Sequence, residues 1–129
     1  MNMKKINSLF PFIIILALLF SACEKDYLIL KKIEITAPVS FSTDIAPILT
    51  KDCATSGCHV TGAIAPDLTA SKAYDDLIGL GYVDTTNAEG SVLYIRIIGT
   101  TRPMPPAARL TPDEIGYILA WIKQGAQNN

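Results

Sequence analysis

Two cysteines and a histidine fall within seven residues, Cys53-Ala-Thr-Ser-Gly-Cys58-His59, and no other stretch limits the possible folds so severely. Two thiols followed at once by an imidazole is what covalent attachment of a haem requires. The thiols can add to the two vinyl groups of the porphyrin, and the adjacent histidine then lies under the ring with a nitrogen in reach of the iron. A chain of this kind has to fold around a flat, rigid group, and the chemistry points to electron transfer. The spacer between the cysteines is four residues where two is usual. Gly57, next to Cys58, can supply the backbone freedom that absorbs the longer loop.

The N-terminus speaks to the compartment. Lys4 and Lys5 precede an apolar run from Phe10 to Phe20, too short to span a bilayer as a helix but suited to the core of a secretion signal. The run ends in Leu19-Phe20-Ser21-Ala22-Cys23, which resembles the lipobox of bacterial lipoproteins, where cleavage before the cysteine leaves its thiol to carry a lipid. Cys23 is therefore expected to be lipidated; a disulfide partner, or a signal cysteine of no consequence, is the alternative. Parity agrees: of the three cysteines, acylation of Cys23 leaves Cys53 and Cys58 as a pair, with no odd thiol in an oxidising compartment. Several acyl chains anchor stably where one does not, since each buried methylene contributes about 0.8 kcal/mol. The expected location is the cell envelope, lipid-anchored to a membrane and facing the periplasm or the cell exterior.

Removing residues 1–22 from the 129 leaves 107, enough for one small domain. Lys4 and Lys5 leave with the signal, so nine basic residues face 12 acidic ones and the formal charge becomes −3. That balance argues against nucleic-acid binding and for a partner with a basic or neutral docking face.

Residues 23–40 carry mixed charges, short β-like patches at 28–30 and 33–35, and Pro38. They read as a lipidated tether, with an added edge strand as the alternative. The domain itself is expected over 41–129. A helix should begin near Thr43-Asp44 and carry Ile45, Ile48 and Leu49, with Pro47 in its first turn or kinking it. A loop over 61–69 leads to a short helix at 71–78, stopped by Gly79 and Gly81. After a polar loop at 84–90, Ser91 can cap a helix bearing Val92, Leu93, Tyr94, Ile97 and Ile98 and ending at Gly99, although those β-branched residues also suit a strand. Thr111-Pro112-Asp113-Glu114 is a capping box, and Ile115, Ile118, Leu119 and Ile122 follow at the spacing of one buried helix face, with Gly125 at its end. The fold class expected is all-α, about four short helices and irregular loops around a planar cofactor.

His59 is the sole histidine, which makes it the candidate proximal iron ligand and excludes a bis-histidine haem. Met1 and Met3 leave with the signal, so Met104 is the only methionine remaining for the sixth position. It lies in Arg102-Pro103-Met104-Pro105-Pro106, a loop stiffened by proline, where the thioether has little entropy left to lose on binding. The alternative is a gap-filling core methionine. Asp75, Asp76, Asp113 and Glu114 read as charges at helix ends and on solvent faces.

From about Phe41 to Ala126 these features together resemble a class I, monohaem cytochrome c domain of the kind found in bacterial envelope lipoproteins. The likeness rests on a helix leading into the Cys/Cys/His segment, a methionine in a proline-rich loop, and a last helix of the form Leu-Thr-Pro-Asp-Glu-Ile…Ile-Leu-Ala-Trp-Ile…Gly-Ala. It implies one haem c attached through Cys53 and Cys58, with the chain's loops wrapped around it. It also implies that Pro66, in Ala65-Pro66-Asp67-Leu68, accepts a hydrogen bond from the ligand histidine, and that Leu68 packs on the haem. The first and last helices should cross, with Ile45 and Leu49 meeting Ile118 or Ile122 and with Trp121 and Tyr117 completing the core. Arg102 and Arg109 are candidates for pairing with haem propionates. The function implied is electron transfer to and from other redox proteins through transient docking, with no catalytic residues. The alternatives are a haem sensor or peroxidase-like protein with a labile sixth ligand, and a non-haem lipoprotein in which Cys53 and Cys58 form a disulfide or, with His59, hold zinc.

Overall fold

The structure is a computed structural model that describes residues 33–129. The expected signal segment, Cys23 and the first half of the expected tether lie outside the described residues. Among those described there are four α-helices and no strand: α1 (Ala46–Asp52), α2 (Ala73–Gly79), α3 (Val92–Ile98) and α4 (Pro112–Lys123). None is long and apolar enough to cross a membrane.

The first helix starts earlier than its sequence signals suggest. Ser40 is the N-cap, its Oγ accepting from Thr43 N while its own N–H donates to Asp44 Oδ2 at 2.8 Å. A π-helical turn, Phe41–Ile45, then runs into α1, with Ala46 N–H reaching back to Phe41 O. The wider turn has a local cause. Pro47 has no N–H to return to Thr43, so the backbone changes register just ahead of it, and the proline falls in the first turn of α1 where no donor is needed.

α4 forms as its capping box predicts. Glu114 N–H donates to Thr111 Oγ1 at 3.2 Å and Thr111 N–H to Glu114 Oε2 at 2.8 Å. It ends at Gly125, whose φ of +93° turns the chain so that Ala126 N–H bonds Trp121 O. α3 is helical, which settles its strand alternative, but Ser91 does not cap it. Its Oγ, buried, accepts from Asp84 N–H at 2.9 Å and donates to Asp84 O, tying the 84–90 loop to the helix start.

The π-helical turn ahead of α1 packs on the last helix, and α1 and α4 run in opposite senses between two contacts. At one end Phe41 and Trp121 meet as tilted rings with centroids 5.3 Å apart; at the other Lys51 Nζ lies 3.1 Å from Glu114 Oε1. Ile45, Leu49, Ile118, Trp121 and Ile122 are all fully or almost fully buried in the single core. Tyr74 of α2 closes the aromatic cluster, 5.2 Å from Phe41, and its hydroxyl donates to Ala126 O at 3.1 Å. Trp121 donates its indole N–H to Gln127 O at 2.9 Å, so its polar tip is satisfied inside the domain. Tyr117 departs from expectation: it is 38 % exposed, on the narrow strip of α4 shared with Asp113, while Ile115, Ile118 and Ile122 occupy the buried arc.

The described end of the expected tether is docked. Val39 is buried, its N–H donating to Gln124 Oε1, and Gln124 Nε2 donates in turn to Ala37 O. Ile33 and Ile35 lie over Gly116 so closely that a Cβ there would stand 3.1 Å from Ile33 O. Residues 33–40 thus form an extended strap on α4, neither free linker nor paired edge strand.

Candidate functional site

The segment between α1 and α2 carries the chemistry. Cys53 caps α1, its N–H bonded to Leu49 O, so the helix fixes the first thiol directly. The chain then folds into a compact loop: Cys58 N–H donates to Thr55 O, His59 N–H to Cys53 O, Ile64 N–H to Cys58 O and Leu68 N–H to His59 O. The second of these bonds joins the histidine to the first cysteine across the four-residue spacer. Gly57 makes that possible with a φ of +79°, a conformation most side chains resist.

The His59 ring is held at one nitrogen. Nδ1 lies 3.0 Å from Pro66 O and 3.1 Å from Ile64 O. Carbonyl oxygens only accept, so in the neutral ring the proton sits on Nδ1 and Nε2 is the nitrogen open to a metal. Pro66 is buried at the hinge of this loop, and Leu68 is buried in the core.

Cys53 and Cys58 are both free thiols and form no disulfide. Burial pushes the Cys53 thiol up to about 11, with the charges of Asp52, Cys58 and Glu114 acting in the same direction. A thiol so placed stays protonated at physiological pH and is a poor partner for thiol exchange. Asp52 has one carboxylate oxygen buried, 3.2 Å from Lys51 Nζ. The hydrogen bond from Lys51 to Glu114 is the chief cause that raises the lysine above its ordinary value.

Met104 comes from a different part of the chain. Its N–H donates to Arg96 O at 3.0 Å, which fastens the proline-rich loop to α3, and its side chain is half-buried. No hydrogen bond joins it to the 53–69 segment. Arg109 Nη1 donates to Ile98 O at the end of α3, a role as a helix-terminus donor. Arg102 stands exposed with φ +54°. Two large apolar side chains on these segments are open to solvent: Ile64, whose carbonyl accepts from His59, is 60 % exposed, and Ile95, next in sequence to the residue whose carbonyl holds Met104 N–H, is 51 % exposed.

The chemistry of these residues suits a covalently attached haem: two free thiols, an imidazole with Nε2 free of its orienting bonds, and a thioether in a loop fastened to α3. They do not suit zinc. Among the described residues no three His, Cys, Asp or Glu side chains converge into a set able to hold a metal ion.

Two participants escaped the sequence reading. Ile64 is a second acceptor for His59, through its backbone. Asp76 is not a free solvent charge, because its Oδ2 accepts from Asp67 N–H at 2.7 Å. The Asp67 carboxylate is held by Thr61 Oγ1 and by the N–H and hydroxyl of Thr69; these bonds, that from Thr61 first, keep it below the usual carboxylate range. The Asp67-Leu-Thr69 pattern was the visible signal for that turn. Comparison with protein-family models, with curated proteins and with solved structures returned no match to this chain.

Proposed function

We propose that the chain is a lipid-anchored electron carrier of the cytochrome c kind, bearing one haem c attached through Cys53 and Cys58, with His59 and Met104 as the iron's axial ligands. The observation that carries this reading is the pairing of Pro66 O with His59 Nδ1 at 3.0 Å directly beside two free thiols. A hydrogen bond of this type fixes the ligand tautomer, aims the ring and raises its basicity. The haem, when bound, supplies the one-electron Fe(II)/Fe(III) couple.

The protein's part is orientation and exclusion. Pro66 and Ile64 hold the imidazole on one side, and Arg96 O holds the backbone that presents Met104. With both axial positions filled there is no open coordination site for a substrate, so the expected role is transfer and not catalysis. Ile64 and Ile95 are the exposed apolar side chains available to a porphyrin face, while Leu68 lies in the core below the loop. In this reading the all-α fold is of the cytochrome c kind, with its loops wrapped around that group. Lipid on Cys23 would keep the domain at a membrane of the cell envelope, facing the periplasm or exterior. A formal charge of −3 on the mature chain favours brief docking with basic or neutral redox proteins.

The test is the visible spectrum of the mature protein in both oxidation states, made in a host with haem-attachment machinery, alongside Met104→Ala. A low-spin, six-coordinate spectrum that turns high-spin or binds carbon monoxide in the variant is expected. Low-spin character surviving in Met104→Ala would refute the sixth-ligand assignment.

A further inference from the structure

The hydrogen bond that orients His59 does not end at Pro66. The carbonyl of Pro66 and the N–H of Asp67 are the two polar ends of one planar peptide group. At the carbonyl end His59 Nδ1 stands 3.0 Å away; at the amide end the Asp76 Oδ2 of α2 stands 2.7 Å away. A carboxylate, a peptide and an imidazole therefore form one continuous line of hydrogen bonds. Asp76 is half-buried on a helix whose neighbouring residues Ala73 and Leu77 are fully buried, so its end of the line is anchored in the core.

We infer that Asp76 is a positioning residue for His59, acting through the Pro66–Asp67 peptide to fix the ring and to make it a more electron-rich ligand. A bond to a charged acceptor is shorter and stronger than a neutral one. A charge accepting from the amide end polarises the peptide, so that its carbonyl carries more negative charge and binds Nδ1–H more tightly. Such chains strengthen one another by roughly 10–30 % per bond. The effect is that of the familiar carboxylate–histidine–metal arrangement, with a backbone peptide inserted between carboxylate and ring. The other polar groups of the loop serve the same end. Thr61 and Thr69 tie down the Asp67 side chain, so the peptide plane cannot rotate away from Asp76. Ile64 O, the second acceptor at 3.1 Å, is a neutral carbonyl with no such relay behind it.

The electronic part of the inference rests on the proposed haem; the hydrogen-bond part does not. Two substitutions separate them. Asp76→Asn keeps an acceptor and removes the charge, whereas Asp76→Ala removes both. The reduction potential of the haem-bearing protein is expected to shift positive in Asp76→Asn and further in Asp76→Ala, because a less basic histidine favours Fe(II). In the reduced, diamagnetic protein the solvent exchange of His59 Nδ1–H, followed by NMR, should be faster in Asp76→Ala by roughly 1.2- to 1.7-fold, the factor set by losing 10–30 % of that hydrogen bond's net contribution. Asp76→Asn should lie between wild type and Asp76→Ala in exchange as well as in potential. Unchanged potentials in both variants would overturn the inference, leaving Asp76 as a clamp on the loop. Should the wild-type spectrum show no haem at all, the proposed function has failed, and the same exchange measurement on the isolated chain decides the hydrogen-bond relay by itself: unaltered exchange in Asp76→Ala overturns it.

Discussion

Cys53 offers a sharp test, because its proton is worth stability. The thiol is 7 % exposed, and burial raises it from an ordinary 9.0 to about 11. Between those pH values the unfolded chain has released the proton and the folded chain still holds it. The unfolded state then binds fewer protons, so stability falls as pH rises, by about 1.4 kcal/mol per pH unit. Stability is almost fully present below pH 9, and about 2 kcal/mol is lost on reaching pH 11, a large share of the roughly 5–15 kcal/mol typical of a domain. Lysines and tyrosines titrate in the same range, so the perturbation to use is Cys53→Ala, in which those groups remain. Urea unfolding of the haem-free chain and of the variant at half-unit steps from pH 8 to 11 isolates the cysteine. The wild type should be the more stable at pH 8, where the variant has lost the buried sulfur, and the gap should narrow by about 2 kcal/mol by pH 11. Parallel curves would refute the account of a desolvated, protonated thiol. The same experiment on haem-bearing protein should show no narrowing, since a thioether has no proton to lose.

Other consequences are as specific. Trp121→Ala empties the centre of the aromatic cluster with Phe41 and Tyr74 and strands Gln127 O; a loss of about 3–5 kcal/mol in urea unfolding is expected. Gly57→Ala meets no neighbouring atom but forces a φ of +79° on a side chain, costing about 1–2 kcal/mol and lowering the yield of haem attachment, with Gly57→Asn milder on both measures. Gly116→Val should lift the strap from α4, seen as faster proteolysis in 33–40, whereas Gly116→Ala should be close to neutral because a shift of tenths of an ångström at Ile33 O is offset by better helix propensity.

What could be read from the sequence follows a physical division. α4 was legible because its capping box, proline and apolar spacing are all local, and local signals survive folding. The backbone of the motif was legible for the same reason: Cys53, Cys58 and His59 are neighbours in the chain, and Gly57 between them adopts a positive φ. The features that escaped depend on where backbone groups end up. Ile64 acts on His59 through a carbonyl that any residue has, and Asp76 acts through an amide nine residues away. Ser91 has the side chain of a cap yet spends it on Asp84, because a buried hydroxyl takes whichever partner the fold brings. The tether reading failed over 33–40 since Gly116 gave no hint that it was a seat for another segment. Tyr117 was misassigned to the core because α4 leaves only a narrow exposed strip, and spacing alone does not tell which side of the arc it lies on.

The central claim, that Cys53 and Cys58 carry a haem in thioether linkage, is tested most directly by the intact mass of the mature protein after denaturation, reduction and chelation. The account predicts one haem of added mass that survives all three treatments, and that in Cys53→Ala/Cys58→Ala is no longer retained. A wild-type mass equal to that of the lipidated polypeptide alone, from a host that attaches haem to other proteins, would contradict it.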